Sequence, residues 1–297
     1  MVVSATRTDI TPQTSTSYLR VFTNDDVKQT PSLVLDDALR VIPGFNTFRR
    51  SSSTVTAPAD DPEAQGVTLR GVGPGGASRA LVLLDGIPET DAFGGWIYWD
   101  ALPLAGIDRV EVVEGGGSDL WGSGAEGGVI NIISKQPANA NNIQVEGSYG
   151  NRNTTQDNLS GDYILGPAKI SLEQDFFNTN GWDIVRSGFR GPIDHSASSM
   201  HTLSTGRIEL DDPGTGITTF LRGSFYQEYR DLGTAFQSSA TTRGFVNGGA
   251  SYDDHIGDVF NASVYAHLTT YHQNFSMSDF AQTVDMPAQT QRVPSSD

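Results

Sequence analysis

The sequence predicts an α+β domain followed by a series of long antiparallel β-strands. Apolar residues at helical spacing and short β-type segments occur within residues 8–136, after a Thr- and Ser-rich start. From residue 137 onward, polar and apolar residues alternate over long segments. No run approaches the ~20 apolar residues that a membrane-spanning helix requires. We therefore expect a mixed domain over residues 8–136 and a purely β region over residues 137–297.

The first domain contains one clear helix signal and several strand signals. A short strand is expected at Tyr18 to Phe22, and residues 33–42 place Leu35, Ala38, Leu39 and Ile42 on one helical face, with Ser32 as the expected N-cap. The following residues, 46–65, are polar and predict a long exposed loop. Further strands are expected at residues 66–71, 80–88, 107–115 and 127–135, and the pair Asp85-Gly86 predicts a hairpin turn.

The β region contains about seven segments of alternating polarity. In one of them Phe260, Val264 and Leu268 share a face opposite Asn261 and His267. Short turns near residues 166–167, 211–216 and 253–257 alternate with expected long loops at residues 178–201 and 229–243. This arrangement is typical of an outer-membrane β-barrel, although periodicity alone also permits a soluble β-sandwich.

Composition excludes several classes of function. The formal net charge of −16 disfavours nucleic-acid binding, and the absence of cysteine excludes disulfides and thiolate chemistry. Acidic pairs such as Asp36-Asp37 are interpreted as solvated charge, so we predict no catalytic residues and no cofactor. The loop residues Asp183, Asp194 and Asp231 are too scattered to predict a metal site.

A set of motifs in the expected order identifies a family resemblance. They are Arg70-Gly71 before a glycine-rich turn, a hydrophobic strand at 81–86 ending in Asp-Gly, Arg109 to Val112, Ser118 to Gly122, and Gly127 to Ile132. This block resembles the plug domain of TonB-dependent outer-membrane receptors. The resemblance implies a plug inside a 22-stranded transmembrane barrel, of which residues 137–297 would supply the first strands. It also implies that this chain is the N-terminal part of a longer receptor.

The resemblance implies binding residues at two places. The arm at residues 1–7 resembles the end of a TonB box, and it would add a strand to TonB through Val2, Val3, Ser4 and Ala5. Two plug loops would face an anionic ferric chelate or a similar ligand. The candidate contacts in these loops are Arg49, Arg50, Phe93, Trp96 and Tyr98.

Contacts between plug and barrel are expected at Arg70 and Glu114. The family usually carries an arginine at the position of Glu114. In the family, that arginine meets acidic residues of the barrel wall. Because a buried carboxylate facing acidic partners would be costly, we expect the barrel partner of Glu114 to be basic or neutral, or Glu114 to face a solvated gap.

The function implied by the resemblance is active uptake of a scarce ligand, such as a ferric siderophore or cobalamin, across the outer membrane. The implied partners are TonB, which relays energy from the inner membrane, and outer-membrane lipid, and the arm would lie in the periplasm. The alternatives are a passive barrel that acts as an adhesin or pore, and a soluble β-rich enzyme.

Overall fold

The computed structural model describes residues 18–47, 49, 52–55, 66–69, 78–212, 214–253 and 259–297. The chain divides into two compact units after Lys135. Among the described residues, none of the helices has both the length and the apolar character needed to cross a membrane.

The first unit is an α+β unit with a five-stranded sheet in the order β1-β6-β7-β4-β5. Strands β4 and β7 are parallel, and the other neighbours are antiparallel. A separate two-stranded ribbon joins β2 and β3. The strands are β1 (Tyr18–Thr23), β2 (Asn46–Thr47), β3 (Val67–Thr68), β4 (Ala80–Leu84), β5 (Ile87–Pro88), β6 (Ile107–Glu114) and β7 (Gly128–Ser134), and the helices are α1 (Asn24–Lys28), α2 (Leu35–Ala38) and α3 (Ser118–Trp121).

The expected helix face packs into the main hydrophobic core. Leu35, Ala38, Leu39 and Ile42 are all buried there, on α2 and the 3-10 turn Leu39–Val41 that follows it. The expected N-cap was wrong, because α2 begins at Leu35 and its N-cap residue, Val34, makes no side-chain cap. The apolar period predicted which residues are buried but not the residue at which the helix starts.

The hairpin turn at Asp85-Gly86 is confirmed between β4 and β5. Both residues have positive φ, 52° and 83°, as a two-residue turn of this type requires. The Asp85 carboxylate accepts hydrogen bonds from the Ser134 amide (2.9 Å) and hydroxyl (2.7 Å), which joins the turn to β7.

The second unit is a single antiparallel sheet of eight strands in sequence order. The structure adds one strand, β15, to the seven that the sequence predicts. The strands are β8 (Asn142–Gly150), β9 (Thr154–Leu165), β10 (Ala168–Trp182), β11 (Ala197–Asp212), β12 (Ile217–Asp231), β13 (Ser238–Asp253), β14 (Val259–Ser278) and β15 (Asp285–Ser296).

Two expected long loops are shorter than the sequence predicts. Strands β10 and β11 reach Trp182 and Ala197, and β12 and β13 reach Asp231 and Ser238. The prediction of loops over residues 178–201 and 229–243 was wrong because polar residues at these strand ends still pair in the ladder.

The two faces of this sheet have opposite polarity. One face, which we call the apolar face, exposes its apolar side chains; examples are Ile143, Leu172, Leu221, Val246 and Val264. The opposite face, which we call the polar face, carries buried polar side chains; examples are Asp175, His201, Glu228, Arg230 and Arg243. A water-soluble sheet shows the reverse arrangement, with the polar side chains outside.

Candidate functional site

The loop after the Asp85-Gly86 hairpin is organised by Asp91. Its carboxylate accepts hydrogen bonds from the backbone amides of Phe93 (3.0 Å) and Gly94 (2.8 Å). Its backbone amide donates to the carbonyl of Trp96, and its carbonyl accepts from Gly95. The loop therefore has one defined shape in which aromatic residues occupy fixed places.

The three candidate aromatic residues of this loop have different exposures. Trp96 and Tyr98 are 7% and 2% exposed, whereas Phe93 is 57% exposed. Phe93 and Tyr98 each meet Trp96 edge to face, with ring centroids 6.2 and 6.4 Å away. Of these three rings, only that of Phe93 is exposed, and the buried ring of Trp96 contacts both of the others.

The ring of Trp96 lies against the backbone of Gly94. A Cβ atom at residue 94 would fall 1.8 Å from Trp96 Cζ3, so a larger residue there displaces the indole. Glycine is required at this position by close approach of a side chain. The sequence offered no signal for this contact.

Arg49 is held inside the first unit by two carboxylates. Its guanidinium pairs with Asp36 and Asp37 of α2 and donates to the Ser53 hydroxyl at 2.6 Å. The side chain of Arg49 is 4% exposed. The structure thus gives Arg49 an internal role, joining residues 49–53 to α2, while Arg50 lies outside the described residues.

The interpretation of Asp36 as solvated charge was wrong, since Asp36 is fully buried. Burial raises the pKa of Asp36 to about 6, and the charge of Arg49 and the hydrogen bond from Ser53 oppose that rise. Asp36 and Arg49 are 13 residues apart on different segments, so local sequence patterns could not pair them.

Glu114 lies near a cation of its own unit. Arg20 Nε on β1 is 3.8 Å from Glu114 Oε1, longer than a hydrogen bond, and the Glu114 side chain is 9% exposed. The antiparallel pairing of β1 with β6 brings the two residues together. The predicted barrel partner of Glu114 stays a prediction, as does the role of Arg70, which lies outside the described residues.

The strand motif at Arg109 to Val112 has a physical basis in β6. Val110 and Val112 are buried in the core, while Arg109 Nε pairs with the buried carboxylate of Glu111 at 2.9 Å. The TonB-binding prediction at Val2, Val3, Ser4 and Ala5 lies outside the described residues.

In the second unit, charged and aromatic side chains interact along the polar face. Tyr226 donates to Glu228 at 2.7 Å, and Glu228 also pairs with Arg230. On the neighbouring strands, His201 Nε2 is 3.7 Å from Asp175 Oδ1, and the His201 ring stacks on Phe177 with centroids 4.9 Å apart. These residues form a polar network that the sequence did not single out, although their alternation with apolar residues was visible.

The loop aspartates of this unit have partners within the protein. Asp183 pairs with Arg190, Asp194 accepts from the Gly191 amide, and Asp231 pairs with His195. Across the described ranges, no group of three or more His, Asp or Glu side chains is arranged to hold a metal ion.

The first unit matches a protein family, and the chain as a whole is similar in fold to solved structures. Residues 11–129 match the TonB-dependent receptor plug domain family. The fold is similar to that of the ferripyoverdine receptor of Pseudomonas aeruginosa, with a TM-score of 0.73 and 18% identity over 99% of this chain and 39% of that one.

Two further solved structures show the same fold. The ferric yersiniabactin uptake receptor of Yersinia pestis has a TM-score of 0.69 and 15% identity, over 94% of this chain and 44% of that one. The ferric-catecholate import receptor of Escherichia coli has a TM-score of 0.66 and 17% identity, over 89% and 40%. The chain therefore spans about two fifths of the length of these receptors.

Proposed function

We propose that this chain, which carries a TonB-dependent receptor plug domain followed by strands of the receptor barrel fold, serves energy-coupled uptake of a scarce ligand across the outer membrane. One observation supports this most directly. A family-matched plug precedes a sheet whose exposed face is apolar and whose buried face is polar. Such a sheet is suited to lipid on one side and to a polar interior on the other.

A ferric siderophore is the ligand class we favour. The receptors named above bind or import ferripyoverdine, ferric yersiniabactin and ferric catecholates. Cobalamin, which the sequence resemblance also permits, is the second candidate class. We assign no enzymatic role, because the family match is to a transport receptor.

Within the candidate site, we propose that Phe93 and Arg50 contact the ligand directly. Phe93 is exposed, and its loop is fixed by Asp91. Arg49, Trp96 and Tyr98 are buried, so their proposed role is to hold the two ligand loops in shape. For Arg70 and Glu114 we retain a role in contact between plug and barrel.

The energy-coupling partner proposed for this receptor is TonB, bound through Val2, Val3, Ser4 and Ala5. A strand added to TonB gains affinity from backbone hydrogen bonds, so Val3→Pro should abolish TonB pull-down by removing a donor. Ser15→Pro, also in the N-terminal segment but outside this stretch, is the control. Equal pull-down by both variants would reject the arm as the TonB contact.

The decisive experiment measures uptake of radiolabelled ferric chelates and of labelled cobalamin in cells that carry or lack the intact gene. Uptake should require both the gene and TonB, and it should stop when an uncoupler removes the membrane potential. Uptake that persists without TonB would instead support the passive pore. Protein recovered only in the soluble fraction would exclude both membrane functions.

The proposed ligand contact has its own test. Phe93→Ala should raise the ligand concentration that gives half-maximal uptake, without changing receptor levels in the membrane. Leu120→Ala, which removes another exposed apolar side chain of the first unit, is the matched control. A shift of equal size in both variants would reject a specific role for Phe93.

A further inference from the structure

A cavity of about 360 Å³ lies near the loop-bearing ends of β13, β14 and β15, a size in the lower part of the range for small-ligand sites. Phe236 and Pro287 supply apolar walls, and Ser238, Asn274 and Thr290 supply polar ones. The lining thus combines an aromatic ring with neutral hydrogen-bonding groups. This combination is suited to sugars, which present apolar C–H faces together with hydroxyls.

The polar side of the cavity is a ladder across three strands. The Thr290 hydroxyl donates to Asn274 Oδ1 at 2.9 Å, and Asn274 Nδ2 donates to Ser238 Oγ at 2.9 Å. After these bonds, the Ser238 hydroxyl and one Asn274 N–H can still donate, and Thr290 Oγ1 can still accept. The ladder therefore keeps both donors and acceptors for ligand hydroxyls.

The aromatic wall is also held in place. The backbone amide of Phe236 donates to the Asp285 carboxylate at 3.0 Å, which joins the β12–β13 loop to the start of β15. The Phe236 ring is 45% exposed, so one face can stack on a ligand. The cavity is lined by elements fixed to one another by hydrogen bonds.

The three ladder residues lie on the apolar face of the sheet. Asn274 is separated by an even number of positions on β14 from the exposed Val264 and Leu268, and it pairs in register with Ser238 and Thr290. Asn274 is six residues beyond Leu268, about 20 Å along the strand. For a strand tilted by about 40°, this is about 15 Å along the membrane normal.

Side chains on this face change in a regular order between Leu268 and Asn274. Thr270 follows Leu268, and His272 comes next, paired in register with Arg292, whose side chain is exposed. Along this face toward the cavity, the side chains are therefore first apolar, then hydroxyl-bearing, and then include a cation. At the cavity itself they are suited to sugars. A phosphorylated glycolipid has acyl chains, phosphates and sugars in the same order.

We propose that the cavity and the Arg292-His272 pair bind a phosphorylated glycolipid of the outer leaflet. The phosphate contacts Arg292, with which it forms charge-assisted hydrogen bonds, and the adjoining sugar enters the cavity against Phe236 and the ladder. The acyl chains lie along Val264 and Leu268. The binding surface faces lipid and is separate from the plug loops proposed for the transported ligand. This inference rests on the outer-membrane location proposed above.

The test uses the receptor purified in detergent from outer membranes and measures binding of three probes. They are a bis-phosphorylated glycolipid with core sugars, the same lipid after phosphatase treatment, and a phosphorylated lipid without sugars. Arg292→Gln should weaken binding of both phosphorylated probes about tenfold, the loss of one charge-assisted hydrogen bond. Asn274→Leu should weaken only the two probes that carry sugars.

Arg152→Gln is the matched control, since Arg152 is an exposed arginine between β8 and β9, at the opposite lateral edge of the sheet from β15. The proposal is overturned if all variants bind the three probes alike, or if Arg152→Gln loses as much as Arg292→Gln. Uptake of ferric chelates is measured on the same variants and should be unchanged. Because uptake and lipid binding are separate readouts, failure of the transport function is distinguishable from failure of this proposal.

Discussion

The two units of this chain bury opposite kinds of side chain. In the first unit, apolar residues of α2 and of the central strands form a core, and the few buried charges are paired, as Arg49 is with Asp36. In the second unit, one sheet face exposes its apolar side chains while the other buries Asp175, Glu228 and Arg230. Burial alone therefore does not identify a hydrophobic core; the medium on each side of the element must be known.

The largest expected effect on stability concerns the buried charges of the first unit. At pH 7.5, Arg49→Gln should lower the free energy of unfolding of this unit by about 3–5 kcal/mol, because it leaves the Asp36 carboxylate buried without its cation. Denaturant unfolding in micelles, followed by a probe in the first unit, measures it. Adding Asp36→Asn should recover much of the loss, and a loss that persists undiminished in the double variant would contradict the ion-pair explanation.

A second substitution tests the assignment of the exposed apolar face to lipid. Val264→Arg should destabilise the reconstituted protein by about 2–4 kcal/mol, the cost of an arginine near the bilayer midplane. Val41→Arg, at a 55% exposed position of the first unit, should change stability by less than about 0.5 kcal/mol. Unfolding titrations in vesicles compare the two, and if Val264→Arg is as harmless as its control, the face does not contact hydrocarbon.

The pH dependence of stability isolates Asp36. Its pKa is raised to about 6, so the folded protein binds this proton more tightly than the unfolded chain does. The protonated Asp36 therefore stabilises the folded state. This stabilisation, on the order of 2–3 kcal/mol in total, is full below about pH 4 and is lost as the pH rises toward 6. Asp36→Asn should remove this part of the profile. If the stability of the Asp36→Asn variant depends on pH as that of the wild type does, other groups cause the effect.

The smallest expected effect concerns the shape of the aromatic loop. Gly94→Ala places a methyl group where the Trp96 ring lies and should cost about 1–3 kcal/mol through displacement of the indole. Tryptophan fluorescence and thermal unfolding measure the change. Gly95→Ala has open space for the methyl group but a φ of +72°, so its loss of stability measures backbone strain without a clash. Gly94 does not have a positive φ, so unchanged fluorescence and stability of Gly94→Ala would show that the indole contact does not require glycine.

The sequence predicted more of the fold than of the candidate site. The period of apolar residues located α2, and the Asp85-Gly86 pair located the hairpin, because both depend on interactions between near neighbours. The pairing of Arg49 with Asp36 and the approach of Arg20 to Glu114 depend on contacts between separate segments. No local pattern encodes such contacts.

By itself, the sequence determined the division into an α+β part and a β part, the family resemblance and the alternation of the strands. It left open which face of those strands is buried, since alternation is the same for a sandwich and a barrel. Only the tertiary structure decided that the polar face is the buried one and that polar strand ends continue the ladder instead of forming loops. The physical reason is that hydrogen-bond pairing and burial are set by neighbouring strands, which lie far apart along the chain.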